Sequence, residues 1–487
     1  MANEQARGAS TTLYWDREAS YKTLKSEALK KPRKIPYNSC TIKAVTPKNT
    51  SPTLRGNRNP MKPFKGNKDV TGQLVVPVDR VNFGHHLAML LGNPTTTPST
   101  PDDIKTGAPN IVISSGVATL SVEQTAWQVG DQIIYNTNVT AYIKSITSTT
   151  VCVLVDAYGL DTVVDVAASP AKAVVSIKRI IFSHVFKVNS CDELPSFVLE
   201  THDCSHDIPI YQLFKGLKIN GMSITANGAG DQLIATFDIM GATYVKSTDV
   251  KVASTITIGA AGDVDFSAAQ ADAVVDDMII YDTDYKVAFI TVKTDGSNMT
   301  AKTTRGGSVD PGQVSTKTVQ AILHNADYIG GGAIDIAEHT FSRYEMADGS
   351  AKEGGVSTEL LRTLSMNVSN NLDGDGFTIG GGGVRRRLPS GIAGVSGSIS
   401  AVFEDDTILE KANEDTETSL ELAFTHPDGE SSLTFNIDEL EYQFSSPDIA
   451  GPQGVVLDLD FQAYYQDDAD ATAIKVTLVN LNPAYDA

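Results

Sequence analysis

Residues 454–465 read GVVLDLDFQAYY, with Val455, Leu457, Leu459, Phe461 and Ala463 on one side of an extended chain and Val456, Asp458, Asp460 and Gln462 on the other. A side-chain period of two belongs to a β-strand, so the segment predicts a sheet packed on one face and wet, with an acidic character, on the other. A weaker form of the pattern lies at 231–241, DQLIATFDIMG. There Leu233, Ala235, Phe237 and Ile239 share a side, and Gln232, Thr236 and Asp238 lie opposite among Ile234 and Met240. Such a sheet has edges, and open edges invite uncontrolled pairing unless they are covered or closed into a barrel.

Working outward, the strand GIAGVSGSISAVFEDD (391–406) has a counterpart in KGNKDVTGQLVVPVDR (65–80). Setting Gly72 on Gly397 brings the neighbouring parts into the same order. YNSCTIKAVT (37–46) and LLRTLSMNVSNN (360–371) precede long polar or Gly-rich loops, and short helical runs, RVNFGHHLAMLLGNP (80–94) and TILEKANED (407–415), follow. The first run is an amphipathic helix clustering Phe83, Leu87, Leu90 and Leu91, stopped by Gly92 and Pro94. Beyond them SFVLE matches SLELAF, and each copy ends with two strands, the last closing at Ala242 and Ala463. Matching elements in matching order predict a duplicated domain. A second repeat, Ser-x-x-Gln-x4-Val-x-Asp-x-Ile-Ile-Tyr, recurs at 121–135 and 267–281, each within about 70 residues of alternating strands. These predict two small β modules inserted into exposed loops of the first copy.

The expected fold is therefore mainly β: two tandem β-sandwich domains, each with a short helix, plus the two modules. The expected boundaries are an N-terminal arm 1–35, a first copy 36–102 with 178–248 and 318–350, modules 103–177 and 249–317, and a second copy 351–487. In the arm, Tyr14, Tyr21, Leu24 and Ala28 fall near one face at helical spacing, so it reads as helical or extended, and PTTTPSTPDD (94–103) reads as a linker.

The chain has 487 residues, 41% of them apolar, enough to bury cores. Its net charge of −20 hides a polarity: residues 1–70 hold 15 Lys and Arg against 5 Asp and Glu, whereas residues 388–487 hold 2 against 20. Phosphate binding needs a net cationic face, so duplex binding is disfavoured, and opposed ends suit head-to-tail contact between identical subunits. No apolar signal core and no run of about 18 apolar residues appears, so neither a signal peptide nor a membrane span is expected. Cys40, Cys152, Cys191 and Cys204 show no disulfide spacing and read as buried thiols.

Chemistry-bearing motifs are weak. Asn371, Asp373, Asp375 and Gly376 follow the first half of a calcium loop, but Gly382 stands where its bidentate Glu belongs. His202, Cys204 and His206 share a strand face in zinc-like order, with a fourth ligand only if Cys191 returns to them. His85 and His86 have no ligand partner at suitable spacing. GGGGVRRRLPSG follows no βα pattern, and no nucleophile elbow or zinc-protease motif occurs. No cofactor, no metal and no catalysis are expected.

The run GNRNP through GNKDVTGQLVVPVD, LLGNPTTT, HVFKV, LPSFVLE, YQLFKGLKINGMSI and IATFDIMGA resembles the tail tube proteins of long-tailed bacteriophages. The second copy resembles them through LSMNVSNNLDG, GVSGSISAVFEDD and GPQGVVLDLDFQA. The resemblance implies rings whose inner sheets form one barrel, stacked into a hollow tube that conducts the genome during ejection. Most members carry one such domain in six-membered rings, so this doubled chain implies a pseudo-hexameric trimer in the virion tail, assembled in the host cytoplasm. It further implies contact with other tail proteins, genomic DNA passing without tight binding, and no membrane partner. Loops 48–68 (Arg55, Arg58, Lys62, Lys65, Lys68) and 373–394 (Arg385, Arg386, Arg387) would touch a neighbouring ring, and Asp238, Asp458 and Asp460 would face the lumen. The other reading is a multidomain β-sandwich adhesin or carbohydrate-binding protein.

Overall fold

A computed structural model describes residues 8–25, 32–54, 58–59, 61–99, 103–136, 139–155, 166, 171–188, 193–203, 210–228, 232–275, 277–282, 286–303, 311–324, 343–404, 406–427, 429–447, 454–466, 469–482 and 484–485. The first copy supplies β1 (Thr11–Arg17), β2 (Ser39–Cys40), β3 (Lys43–Val45), β4 (Asp69–Pro77), α1 (Asn82–Leu91), β5 (Thr95–Pro98), β6 (Phe182–Lys187), β7 (Phe197–Asp203), β8 (Ile210–Asn227), β9 (Ile234–Gly241) and β10 (Thr243–Lys246). The second supplies β11 (Gly349–Glu353), β12 (Leu361–Ser369), β13 (Gly394–Val402), α2 (Thr407–Asn413), β14 (Thr418–Thr425), β15 (Ser432–Tyr442), β16 (Val456–Ala463) and β17 (Lys475–Asn480).

Two antiparallel sheets run through both copies without a break. The first has the order β3-β4-β9-β8-β12-β13-β16 and crosses from one copy to the other where Gly221–Asn227 of β8 pair with Ser369–Thr363 of β12. The second has the order β11-β14-β15-β17-β6-β5 and crosses where β17 pairs with β6. The β1, β7, β10 strands and the front half of β8 repeat the arrangement of β11, β14, β17 and β15 in the first copy. One apolar cluster, from Leu13 and Leu74 to Leu459 and Leu478, fills the space between the layers of both copies.

The duplication shows in register. Gly72 lies opposite Ile239 and Gln73 opposite Asp238, as Gly397 lies opposite Phe461 and Ser398 opposite Asp460. Each glycine sits where two strands approach too closely for a side chain: a Cβ would stand 2.4 Å from the Ile42 Cα at Gly72 and 2.0 Å from the Ser365 carbonyl oxygen at Gly397. Val70 pairs with Gly241 and Val395 with Ala463, so the counterpart of Ala463 is Gly241, one residue before the Ala242 that the sequence match selects.

Other expectations are narrowed or corrected. Of the two forms expected for the N-terminal arm, the described part takes the extended one after a short 3-10 turn at Gly8–Ser10: β1 is a sheet strand that buries Leu13 and Trp15, because a period of two suits its pairing with β7. The expected linker contains β5, paired with β6. Helix α1 is buried on every side rather than amphipathic, since Tyr485 from the C-terminal end packs on Gly84 and donates from its hydroxyl to the Val81 carbonyl at 2.8 Å.

The modules share one topology. In the first, Asn110–Ser114, Val117–Leu120, Gln132–Tyr135, Val139–Ile146, Val151–Val155 and Lys172–Lys178 close a barrel. In the second, Thr255–Ile258, Asp263–Phe266, Met278–Tyr281, Lys286–Lys293, Asn298–Lys302 and Val314–His324 repeat the same pairings, so the expected boundary at 317 falls inside a module strand. The repeated motif is a folding device. Gln124 and Gln270, both buried, each accept from one backbone N–H (Thr106, Val252) and donate to two carbonyls (Thr106 and Val122, Val252 and Ala268). Ser121 and Ser267 each accept from a strand N–H at 2.9 Å, and Asp131 and Asp277 each cap the turn three residues before them.

Candidate functional site

On the first sheet, Leu74, Phe237, Ile239, Met222, Met366, Ile399, Leu459 and Phe461 point into the core. The alternate residues form a wet face of hydroxyls and amides across the joint: Gln73, Thr236, Ser223, Thr225, Ser365, Asn367, Ser396, Ser398, Ser400 and Gln462. Asp238, Asp458 and Asp460 are exposed on this face, and Asp238 accepts from the Gln73 side-chain amide at 2.8 Å. By register Asp238 and Asp460 are counterparts, while Asp458 answers to Thr236. Hydroxyls, amides and carboxylates present a hydrated surface with little to hold a phosphate backbone.

The joint is locked by buried polar groups that periodicity could not reveal. Asn370 sends its side-chain amide to the carbonyls of Leu90 (2.9 Å) and Ile219 (3.0 Å), and Leu372 N–H donates to the Asn220 side chain at 2.8 Å. The Lys218 ammonium, 1% exposed, donates to the Leu388 carbonyl at 3.1 Å and to Glu193 at 2.9 Å. That hydrogen bond holds the Glu193 carboxyl below its ordinary range. In the second sheet Lys187 and Lys475 both bind Asp470, lowering its carboxyl as well.

The long loops leave the same end of the sheet, before β4 and before β13, and they touch where Lys68 N–H donates to the Gly383 carbonyl at 2.7 Å. Their cations divide. Arg58, Lys62, Lys65, Arg386 and Arg387 are exposed, Lys68 is half-buried with its ammonium 3.4 Å from the Tyr244 carbonyl, and Arg55 lies outside the described residues. Arg385 is 5% exposed and is used inside the chain: it donates to the carbonyls of Gly374 (2.6 Å) and Gly241 (2.9 Å) and pairs with Asp69 at 2.7 Å. A guanidinium already satisfied in this way is a clamp between the copies, which removes it from the residues expected to reach a neighbour. Each loop also presents a fully exposed aliphatic at the same distance before its following strand, Leu54 and Ile379.

The motifs weighed for metal chemistry assemble little. His202 stacks on Tyr211 with ring centroids 4.4 Å apart, while Cys191, Cys204 and His206 lie outside the described residues. Asp373 accepts the Asp375 N–H in a polar turn, and among the described residues no three His, Cys, Asp or Glu side chains group as metal ligands. His85 and His86 pack against Trp15 and Tyr485 in the core.

Two copies fused through continuous sheets, with a wet polar face and long loops at one end, define a β-sheet structural protein. A family model for phage tail tube proteins matches residues 8–282 and 290–463, nearly the whole chain, and the chain belongs to that family. It is a structural tail component, as the sequence resemblance implied. No curated protein matches it.

Proposed function

We propose that three chains form a pseudo-hexameric ring whose first sheets join into one barrel, and that rings stack head to tail into the conduit through which the genome leaves the capsid. The observation that carries this reading is the first sheet itself, unbroken from copy to copy with its polar face turned from the core. With the seven strands of this sheet from each of three chains, a barrel of roughly 21 strands at about 4.8 Å spacing and about 40° tilt has a backbone diameter of about 42 Å. A double helix passes such an opening, and Asp238, Asp458 and Asp460 around it repel phosphate rather than bind it.

The exposure of Arg58, Lys62, Lys65, Arg386 and Arg387, with Leu54 and Ile379, supports their reaching the next ring; Arg55 and the half-buried Lys68 belong to the first of the two long loops. Assembly in the host cytoplasm and contact with other tail proteins follow from the same reading. Native mass spectrometry of dissociated rings tests it: three chains per ring is the expected count, and six whole chains overturns it. A chain that stays monomeric and binds glycan supports the adhesin reading instead.

A further inference from the structure

The chain contains one finished joint between copies and two edges that lack one. In the finished joint, Gly221–Asn227 of β8 lie between β9 and β12, with Gly221 opposite Asp238 on one side and Ser369 on the other. In the second copy Asp460 stands in the place of Asp238, and the amide that reaches its carbonyl is that of Gln443, at 2.8 Å. Gln443 therefore occupies the place of Gly221, and Phe444 and Ser445 follow in the places of Met222 and Ser223. Yet β15 ends at Tyr442, and Gln443–Pro447 run irregularly beside an open groove along Asp458–Asp460. Phe444 is 52% exposed, whereas Met222 is 2% exposed.

The opposite end of the sheet shows the complementary vacancy. Ala44 pairs with Val70 as Val368 pairs with Val395, so β3 is the counterpart of the front edge of β12: Lys43 answers to Asn367 and Val45 to Ser369. Among the described residues no strand lies on the outer edge of β3, and Val45 is 45% exposed there. Each end thus displays a half-exposed apolar side chain on an unpaired edge, which soluble proteins ordinarily protect.

We infer that Gln443–Pro447 becomes a strand on joining a second copy of this chain, inserted between its own β16 and β3 of the next chain. Its register sets Gln443 opposite Val45, Phe444 opposite Ala44 and Ser445 opposite Lys43. The inference rests on the ring reading and adds the edge, the register and the folding step. A segment paired on one side only gains too few hydrogen bonds to offset the entropy of ordering; the second edge supplies the remainder and covers Phe444. Pro447 falls in the place of Thr225, beyond the last β8–β9 pair, so the residue without an amide interrupts no bond to β16.

Cysteines at Ser445→Cys and Lys43→Cys in a Cys40→Ser background test the register, because opposed strand residues lie within disulfide reach. Ser223→Cys with Asn367→Cys is the within-chain control. Mild oxidation of assembled rings should produce a covalent trimer that unassembled chains do not form. Rings without this cross-link, while the control pair closes, overturn the joint and leave the ring reading intact. On the unmodified protein, hydrogen exchange at Phe444 and Ser445 should slow by at least about tenfold on assembly. Unchanged exchange in rings overturns the inference even if the cysteine variant fails to assemble. A chain that forms no rings at all removes the ring reading and this joint with it.

Discussion

At the scale of the residue, the two counterpart glycines are the most exacting positions. In Gly397→Ala the new methyl would meet the Ser365 carbonyl and the Phe461 ring, which is 2.5 Å away, and backbone cannot yield as a flexible side chain does. The variant should lose about 1–3 kcal/mol, read as a lower Tm in a thermal melt. Arg385→Met, which keeps the apolar stem and removes the donors to Gly241, Gly374 and Asp69, should cost about 2–3 kcal/mol, whereas the exposed Arg386→Ala should change stability by less than about 0.5 kcal/mol. His86 makes a pH-dependent contribution. Burial lowers its imidazole to about 4, so between about 6.5 and 4 the unfolded chain binds more protons than the folded one. Its contribution is complete above about pH 6.5 and lost toward pH 4, about 3 kcal/mol in all. Asp79, raised to about 6 by burial, moves in the opposite direction over the same range. The measurement is therefore the stability of wild type relative to His86→Leu, in which Asp79 cancels; it should fall as the pH drops from about 6.5 to 4, because only the wild type carries the buried imidazole.

At the scale of the element, the first module hangs on a narrow neck, whereas the second packs its Met278, Ile280, Phe289, Ala321 and Leu323 against Tyr211 of β8. At that neck Ser99 N–H donates to the Ile181 carbonyl at 2.7 Å and Ile181 N–H to the Ser99 hydroxyl at 3.0 Å, so the host hairpin β5–β6 closes below the insertion. The module has its own apolar core, and Arg179 ties it to the second copy by bridging Asp131 (2.9 Å) and Glu430 (3.1 Å). Replacing residues 103–178 by a short turn should leave the far-UV circular dichroism of the body unchanged and the remaining chain able to assemble, with a smaller outer diameter in negative-stain images. Loss of folding in this deletion would show that the module is structural, contrary to its separate core.

At the scale of the whole molecule, the joint within the chain differs from the one proposed between chains. Inside the chain both sheets cross, through β8–β12 and β6–β17. The second copy passes from α2 to β14 through Glu414–Glu417 and has no counterpart of the β5–β6 hairpin, and the first-copy counterpart of β17, β10, leads into the second module. In the proposed ring, the joint between chains would therefore rest on the first sheet alone. Increasing denaturant should release folded monomers, seen by size-exclusion chromatography, at concentrations below those that remove the far-UV signal. The two copies, sharing one core, should then unfold together.

Much of this was legible in the chain. The alternation at 454–465 read as a half-buried strand because a two-residue period has one structural meaning when its apolar side is continuous, and both repeats were visible as order and spacing. The wet face carrying Asp238, Asp458 and Asp460 followed from the same period. What the sequence could not decide is where polar groups go when the strands meet. Arg385 reads like Arg386 and Arg387, yet only tertiary packing surrounds it with three acceptors. Asn370, Lys218 and Tyr485 acquire their partners across 151, 170 and 404 residues of chain. Local pattern determines which face of a strand is apolar, but long-range contact alone determines which strand stands beside it, and the fusion of two copies into one core is a fact of that second kind.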